Sequence, residues 1–340
     1  MLVVVRWFRT LALGAAAIAL AACGGSAGQT VARPPVAVAW LVYRHLPGVV
    51  DLAGPRGDGS FLVAAAGRLF VLGRDGTLSA FARGAGGYLT AMGTEPYLTL
   101  TSSVAVGGTR CSFGNGTAFA LEPGARPGVI MISPQGEARR FASLPPGRSL
   151  SGIAFDGTGR FGHRLLVTAG SHGRTTVFGI GCDGRLSTIA TAVPGVEGGM
   201  AVAPANFGRF GGDLIAADEG SGRVYAVDPA GQVVTLARPA LPAGGDIGVE
   251  SIGFVPQRAA AAYLADRFSA HNKHPGDDAI LALTAAQLAQ AGIRAGDLLV
   301  ATEGGAKTID IRCAAACTVR YIGAGPAIAH AEGHIVFAPS

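Results

Sequence analysis

One phrase is written twice in this chain, and the repeat constrains the fold more than any other feature of the sequence. Residues 159–185 read GRFGHRLLVTAGSHGRTTVFGIGCDGR, and residues 208–232 read GRFGGDLIAADEGSGRVYAVDPAGQ. The Gly-Arg pairs at 159 and 208 are 49 residues apart, and those at 173 and 222 have the same spacing. Each copy contains short apolar runs separated by glycine-rich turns, a pattern typical of strands in an antiparallel meander.

A fourth apolar run precedes each copy, SGIAF at 151 and GGMAV at 198, so each unit contains four predicted strands. Four strands in a repeat of nearly this length are typical of a β-propeller blade, which must stack on its neighbours to cover its faces. Tight turns place further units at regular intervals, because glycine supplies the positive φ of a hairpin turn. The turn glycines are Gly76, Gly136, Gly184 and Gly231.

The rest of the chain predicts two more units. A fifth runs from VESIGFVP at 249 through AYLADRF and AILAL to LLVATEG, with a short inserted helix capped by Thr284 and Gln287 and ended by Gly292. TIDIRC, TVRYIG, AIAHAEG and HIVFAP form most of a sixth, and VAVAWLVY near the N-terminus supplies its missing strand. We therefore expect an all-β fold, a six-bladed propeller over residues 36–340, with five or seven blades as alternatives.

The N-terminal residues predict where in the cell the protein is located. Arg6 and Arg9 precede the apolar stretch LALGAAAIALAA, which is short for a membrane span and typical of a signal peptide over residues 1–22. The segment Leu20–Cys23 resembles a bacterial lipobox, and that resemblance implies a diacylglycerol on Cys23. Residues 23–35 would be a lipidated tether holding an extracytoplasmic protein on a bacterial membrane. The alternative is an ordinary secretory signal with a chance cysteine.

Charge and cysteine usage agree with this compartment. The formal net charge is +5 and falls to +3 without Arg6 and Arg9, and the remaining arginines are scattered. No nucleic-acid partner is therefore expected, and we expect a monomer.

Four cysteines remain after Cys23, an even number in an exported chain. We expect one disulfide between Cys313 and Cys317 and another between Cys111 and Cys182. Free thiols and a metal site are the less favoured alternatives.

The segments GVEGGMAVAP and GDLIAADEGSGRVYAVDPAGQ resemble the six-bladed propellers of the NHL and senescence-marker/gluconolactonase kind. In the lactonase group, a glutamate followed by Gly-Pro begins an inner strand and binds a divalent metal in the central channel. Glu197 occupies the matching place, whereas Gly199 stands where that family has proline.

The residues themselves also predict a site near the axis. Glu197 and Glu250 begin inner strands, while Asp218, Glu219 and Asp266 follow second strands. Converging carboxylates attract a hard divalent cation such as calcium, so Glu197, Glu250, Asp218 and Asp266 are the candidate metal ligands. The alternative is that Glu197 and Glu250 bond to backbone amides or to Arg267 and stabilise blade junctions.

The segment DRFSAHNKHPGDD forms a long polar loop, and such loops on rigid scaffolds often carry binding. Its candidate binding residues are Arg267, His271, His274 and Asp277, with a merely solvated loop as the alternative. The motif HAEGH at 330–334 is not the helical H-E-x-x-H of zinc proteases, since its context is a strand turn.

Two function classes follow from this pattern. The favoured one is a lipid-anchored propeller that binds a small molecule or a protein partner without transforming it, because no catalytic motif is intact. The alternative is a metal-dependent, lactonase-like hydrolase or an oxidoreductase with its site in the central channel. The catalytic residues are not assignable from the sequence, and a propeller alone does not decide between these functions.

Overall fold

The structure, a computed structural model, describes residues 37–82, 95–102 and 104–340. Within these ranges the chain is almost entirely β-strand, with one short α-helix and one 3-10 turn at Gly208–Phe210. The signal peptide, Cys23 and the tether lie outside the described residues, so their assignments remain predictions.

Four antiparallel four-stranded sheets follow one another along the chain. Two short strands come first, β1 (Val38–Ala39) and β2 (Leu41–His45). The four sheets consist in chain order of β3 (Val49–Ala53), β4 (Phe61–Ala65), β5 (Arg68–Leu72) and β6 (Leu78–Ala80); β7 (Leu98–Leu100), β8 (Ala118–Glu122), β9 (Gly128–Ile132) and β10 (Ala138–Ser143); β11 (Ser149–Phe155), β12 (Leu165–Ser171), β13 (Arg174–Ile180) and β14 (Leu186–Val193); and β15 (Glu197–Val202), β16 (Leu214–Asp218), β17 (Arg223–Val227) and β18 (Val233–Ala237). The duplicated phrase corresponds to the third and fourth sheets, as the sequence predicts.

The hairpin glycines form tight turns and also allow close packing between successive sheets. Gly76, Gly136, Gly184 and Gly231 all have φ between +77° and +91°, which confirms the predicted tight turns. A Cβ on Gly136 would lie 2.2 Å from the carbonyl oxygen of Phe81, and one on Gly231 would lie 2.3 Å from that of Ile189. Each of these turns therefore packs against the last part of the preceding sheet, where no larger residue fits.

The remaining strands form one nine-stranded sheet in the order β1-β24-β23-β22-β19-β25-β20-β21-β2. Its later elements are β19 (Val249–Phe254), β20 (Ala261–Asp266), β21 (Ala279–Thr284), α1 (Ala285–Gln290), β22 (Leu298–Thr302), β23 (Thr308–Cys313), β24 (Cys317–Ala324) and β25 (Ala331–Ala338). A parallel bridge between Ile252 and His334 joins its two parts, and an antiparallel bridge between Gly304 and His330 lies just outside the named strands.

The predicted fifth unit is wrong in its strand pairing. β20 does not pair with β19, because the β20–β21 hairpin crosses to the neighbouring part of the sheet and pairs with β25. β19 pairs instead with β22, which follows α1. The predicted helix is present with its capping box of Thr284 and Gln287. The N-terminal segment supplies an edge strand to each part, with β1 beside β24 and β2 beside β21.

The sheets are arranged as a propeller. Six strands, β3, β7, β11, β15, β19 and β25, contact one another in that cyclic order and return to β3, and we call them the inner strands. Buried apolar side chains fill the spaces between successive sheets. Leu62 and Ile130, for example, join the first two sheets, and Val63 and Ile280 join the first sheet to the β25 part. The core therefore surrounds a central channel.

Both predicted disulfides are present, Cys111–Cys182 and Cys313–Cys317. The first joins the long connection between β7 and β8 to the turn after β13. Disulfides of this kind point to an extracytoplasmic location. Among the described residues, no helix has the length and apolar character needed to cross a membrane.

Candidate functional site

One mouth of the channel gathers carboxylates from several sheets. In an antiparallel pair, the start of an inner strand and the end of its partner lie at the same edge of the sheet. Glu197, Glu250 and Glu332 are at the starts of β15, β19 and β25, while Glu219 and Glu303 directly follow β16 and β22. Together with Glu95, which precedes β7, these six residues define what we call the glutamate mouth.

Arg267 is the central cation of this mouth. Its Nη1 lies 2.7 Å from Oε1 of Glu95 and 2.9 Å from Oε1 of Glu332. Burial alone would raise the pKa of Glu332, but hydrogen bonds and charges from His330, Arg267 and Tyr97 outweigh it and hold this pKa below its usual range. Burial and the neighbouring Glu332 raise the pKa of Glu95 to about 7, although Arg267 opposes the shift.

His330 is a second buried cation. Its Nε2 lies 2.6 Å from Oε1 of Glu303 and 3.4 Å from Oε1 of Glu332, and its Nδ1 lies 3.1 Å from the carbonyl oxygen of His274. Burial would lower the pKa of His330, but the two carboxylates outweigh this effect and raise it to about 10. The imidazole is therefore protonated at neutral pH, with both ring nitrogens donating.

The hydroxyl of Tyr97 connects three carboxyl groups. It lies 2.8 Å from Oε2 of Glu332, 3.0 Å from Oε1 of Glu250 and 3.2 Å from Oε2 of Glu95. A phenol has one proton and can donate to only one of them, so another carboxyl must carry its own proton to make a hydrogen bond. Burial, followed by repulsion from Glu332 and Glu197, raises the pKa of Glu250 well above its usual value and makes it the natural proton carrier.

Glu250 also has an unmatched atom. The residue is only 3% exposed, and its Oε2 has no hydrogen-bond partner. A Cβ added to Gly198 would lie 2.0 Å from Oε1, and φ at Gly198 is +75°. Only glycine fits at this position, so the backbone of β15 is shaped around the carboxyl of Glu250.

The outer part of the mouth is an open cavity of about 610 Å³ whose wall includes Arg174, Glu197, Asp218 and Glu219. Burial, then a hydrogen bond and repulsion from Glu303, raise the pKa of Glu219 to about 9. Glu197 is the most exposed of these glutamates. The surrounding protein and the charges of Glu219 and Glu332 nevertheless raise its pKa.

The structure brings only part of the predicted metal set together. Glu197 and Glu250 both reach the mouth and do not bond to Arg267, which binds Glu95 and Glu332 instead. Asp218 lines the outer cavity, but its carboxylate is held locally by the backbone N–H and the hydroxyl of Ser221. Asp266 accepts the backbone N–H of His330 through Oδ1, and its buried Oδ2 has no partner.

The predicted binding loop divides in the same way. Arg267 belongs to the glutamate mouth. The Nδ1 of His274 lies 2.7 Å from the carbonyl oxygen of Ala327, so it fixes the loop to the segment that precedes β25. Asp277 is 3.8 Å from His45, and His271 is exposed with φ of +73°. A binding role for this loop therefore remains a prediction.

Sequence reasoning did not assign Glu95, Tyr97, Glu303, His330 or Glu332 to the site. A usable signal was present in HAEGH, since alternate residues of a strand share a face and β25 is a strand from Ala331. His330 and Glu332 with Glu303 place one ligand atom each within 4.8 Å of one another, and all three are buried. Glu95 lies between the turn glycines Gly76 and Gly136, where the sequence pattern singled out no candidate residue.

A separate buried pair lies deeper in the channel. His334 Nδ1 is 2.9 Å from Oδ2 of Asp51, and its Nε2 is 3.1 Å from the carbonyl oxygen of Ile153. Asp51 also accepts the backbone N–H groups of Leu52, Leu98 and His334. Burial would lower the pKa of His334, but Asp51 outweighs it and raises this pKa.

The mouth can bind positive charge. Six carboxyl groups face two internal cations, Arg267 and His330. The excess negative charge is reduced by protons bound to the carboxyl groups with raised pKa values. A ligand that brought positive charge would replace those protons. Oxygen ligands of this type suit hard cations such as calcium.

No protein-family model matches the chain, and no curated protein matches it. Among solved structures, it is similar to virginiamycin B lyase from Staphylococcus aureus, with 13% identity, a TM-score of 0.46, and coverage of 82% of this chain and 87% of that one. It is also similar to a gluconolactonase from Xanthomonas campestris, with 13% identity, a TM-score of 0.37, and coverage of 74% and 95%. A nidogen/laminin complex has 15% identity and a TM-score of 0.42, with coverage of 83% and 99%. At these identities and scores, the likeness assigns no activity.

Proposed function

We propose that this protein is a lipid-anchored, extracytoplasmic six-bladed β-propeller that binds a cationic ligand in the glutamate mouth without transforming it. The ring of inner strands and the apolar clusters between successive sheets support the prediction of six blades. The two disulfides support the compartment, and the lipobox-like residues before Cys23 support the anchor.

The unmatched Oε2 of Glu250 is the observation that carries the ligand proposal. A buried carboxyl without a partner costs free energy, and it is retained where something else completes its bonding. A divalent cation such as calcium fits this environment. Glu303, His330 and Glu332 are the side chains that would hold it, with His330 giving up its ring proton as the cation binds. Glu250, which shares the Tyr97 hydroxyl with Glu332, would complete the set. The cation would supply the positive charge that the carboxylates lack.

Thermal unfolding with added cations tests this proposal. Calcium, magnesium or zinc at about 100 times its Kd should stabilise the folded protein by about 2.7 kcal/mol. For a domain of about 300 residues, that corresponds to a rise in Tm of about 4 °C. The rise should disappear with chelator and in Glu250→Gln. Glu122→Gln is the matched control, because Glu122 pairs with Arg140 on the outer part of a sheet. Equal Tm values with metal and with chelator would contradict the proposal.

A metal-dependent hydrolase is the second candidate, and Glu95 is the observation that favours it. Its pKa of about 7 suits a general acid or base at neutral pH, and Arg267 beside it could bind a developing negative charge. Hydrolysis of a simple δ-lactone, followed by proton release in the presence of each metal, measures this activity. Turnover that is lost in Glu95→Gln and retained in Glu122→Gln would favour the enzyme over the binding protein.

A further inference from the structure

The end of the channel opposite the glutamate mouth holds a second cavity, of about 490 Å³. Its walls are the later halves of all six inner strands, together with the residues that follow them. Wall residues include Leu52, Leu98, Ala154, Met200, Ile252 and Val336. We call this space the distal cavity. It contains none of the six glutamates of the first site.

The pair of His334 and Asp51 forms its floor. His334 lies on β25 and reaches the carbonyl oxygen of Ile153 on β11, which is three inner strands away in the ring of six. The side chain therefore spans the channel, and its bonds to Asp51 fix it there. The distal cavity is thus closed toward the glutamate mouth and open toward solvent at its own end.

The charges of the wall exclude an ionic ligand. Among the described residues that line the distal cavity, His334 alone titrates, and Asp51 neutralises it. An anion or a cation would lose its hydration without gaining a free counter-charge, so its binding is disfavoured. An uncharged ligand does not meet this cost.

The wall nevertheless offers hydrogen bonds. The inner strands β7, β11 and β15 are each the last strand of their sheet, so their channel-facing edges have no partner strand. Such an edge presents backbone N–H and C=O groups. Thr99, Ser102 and Asn115 also line the cavity and add hydroxyl and amide groups. The apolar side chains and the polar edges together suit a molecule with both kinds of surface.

We propose that the distal cavity binds an uncharged small molecule that has an apolar body and a few hydrogen-bonding groups. A volume of about 490 Å³ lies within the range of small-molecule sites and equals about 16 water volumes at ~30 Å³ each. This second site is independent of the cation proposed for the glutamate mouth, because the His334–Asp51 floor separates the two.

The uncharged fluorescent amine N-phenyl-1-naphthylamine is a suitable probe, since its emission rises in apolar surroundings and it carries one N–H donor. Titration into the mature protein should give a saturable rise in emission. Leu100→Trp and Val202→Trp fill the cavity from half-buried wall positions, and each should weaken probe binding at least tenfold. Val234→Trp is the matched control, because Val234 is 45% exposed on the outer strand β18.

Circular dichroism and the melting temperature establish that each variant is folded before the titration is interpreted. Unchanged probe affinity in either folded wall variant would overturn the proposal, as would the absence of saturable binding to the wild type. Glu250→Gln should leave probe affinity unchanged. A tenfold loss in that variant would assign the probe to the glutamate mouth and would also overturn the distal site.

Discussion

Asp51→Asn is the sharpest test of how the inner strands are held around the channel. The carboxylate of Asp51 is fully buried and accepts backbone N–H groups from Leu52, Leu98 and His334 at 2.7–2.8 Å. It also accepts the ring Nδ1–H of His334. These bonds join β3, β7 and β25, three inner strands that are far apart in sequence. The substitution keeps the side-chain shape and removes one acceptor oxygen and the charge.

The magnitude follows from the number of donors. An asparagine carbonyl oxygen can accept two hydrogen bonds, and its amide group adds two donors of its own, so about two buried N–H groups lose their acceptor. Each unsatisfied donor costs about 1–3 kcal/mol, and the imidazolium of His334 loses its counter-charge. We expect Asp51→Asn to lower the free energy of unfolding by about 3–5 kcal/mol.

Urea unfolding at pH 7 measures this loss, with an unchanged slope showing that the same surface is exposed on unfolding. Asp75→Asn is the matched control. Asp75 also accepts a backbone N–H and a hydroxyl, both from Thr77, but it lies in an exposed turn. We expect the control to lose less than about 1 kcal/mol. A loss in Asp51→Asn no larger than that of the control would refute the reasoning.

Three further predictions concern other parts of the chain. In Glu219→Gln the dependence of stability on pH should flatten. The folded-state pKa of Glu219, about 9, lies above its ordinary value, so this carboxyl makes the wild type lose stability as pH rises from about 4.5 to 9. The variant lacks this contribution and should lose less stability over that range, and an equal loss of the free energy of unfolding in the two proteins would contradict this. Cys23→Ser should abolish incorporation of a labelled fatty acid in cells, and persistent labelling would contradict the anchor. Cys111→Ser with Cys182→Ser opens a loop of 71 residues and should lower the free energy of unfolding by about 4 kcal/mol, so an unchanged urea midpoint would show that this disulfide does not constrain the unfolded chain.

The local structure was predictable because local rules govern it. Gly184 and Gly231 mark hairpins since only glycine readily adopts their positive φ, and Thr284 with Gln287 marks the start of α1 through a capping box. The duplicated phrase fixed the strands of two sheets because both copies carry the same turns. The turns and the cap are each specified by a few neighbouring residues, and the repeat only has to show the same local signals twice.

The crossing of the β20–β21 hairpin was not predictable in the same way. Its partner β25 begins at Ala331, far along the chain, and the apolar runs of β20 would pair equally well with β19 by pattern alone. The partner of β20 is decided by closure of the ring. β22 already occupies the edge of β19, and β25 needs a strand beside it. The apolar pattern of a strand specifies which of its residues are buried, but it does not specify which neighbouring strand pairs with it.

The candidate site shows the same division between local and distant information. Glu197 and Glu250 were predictable because they begin inner strands, and Asp218 was included because it ends a second strand. In the structure, the carboxylate of Asp218 bonds to Ser221 in its own turn and does not reach the other glutamates. The next residue, Glu219, approaches Glu303 of another sheet instead. In a propeller, the residue just beyond a strand therefore decides which side chains meet at the axis. That choice depends on the turn and on the neighbouring sheet together, so a site of this kind emerges only when the ring is assembled.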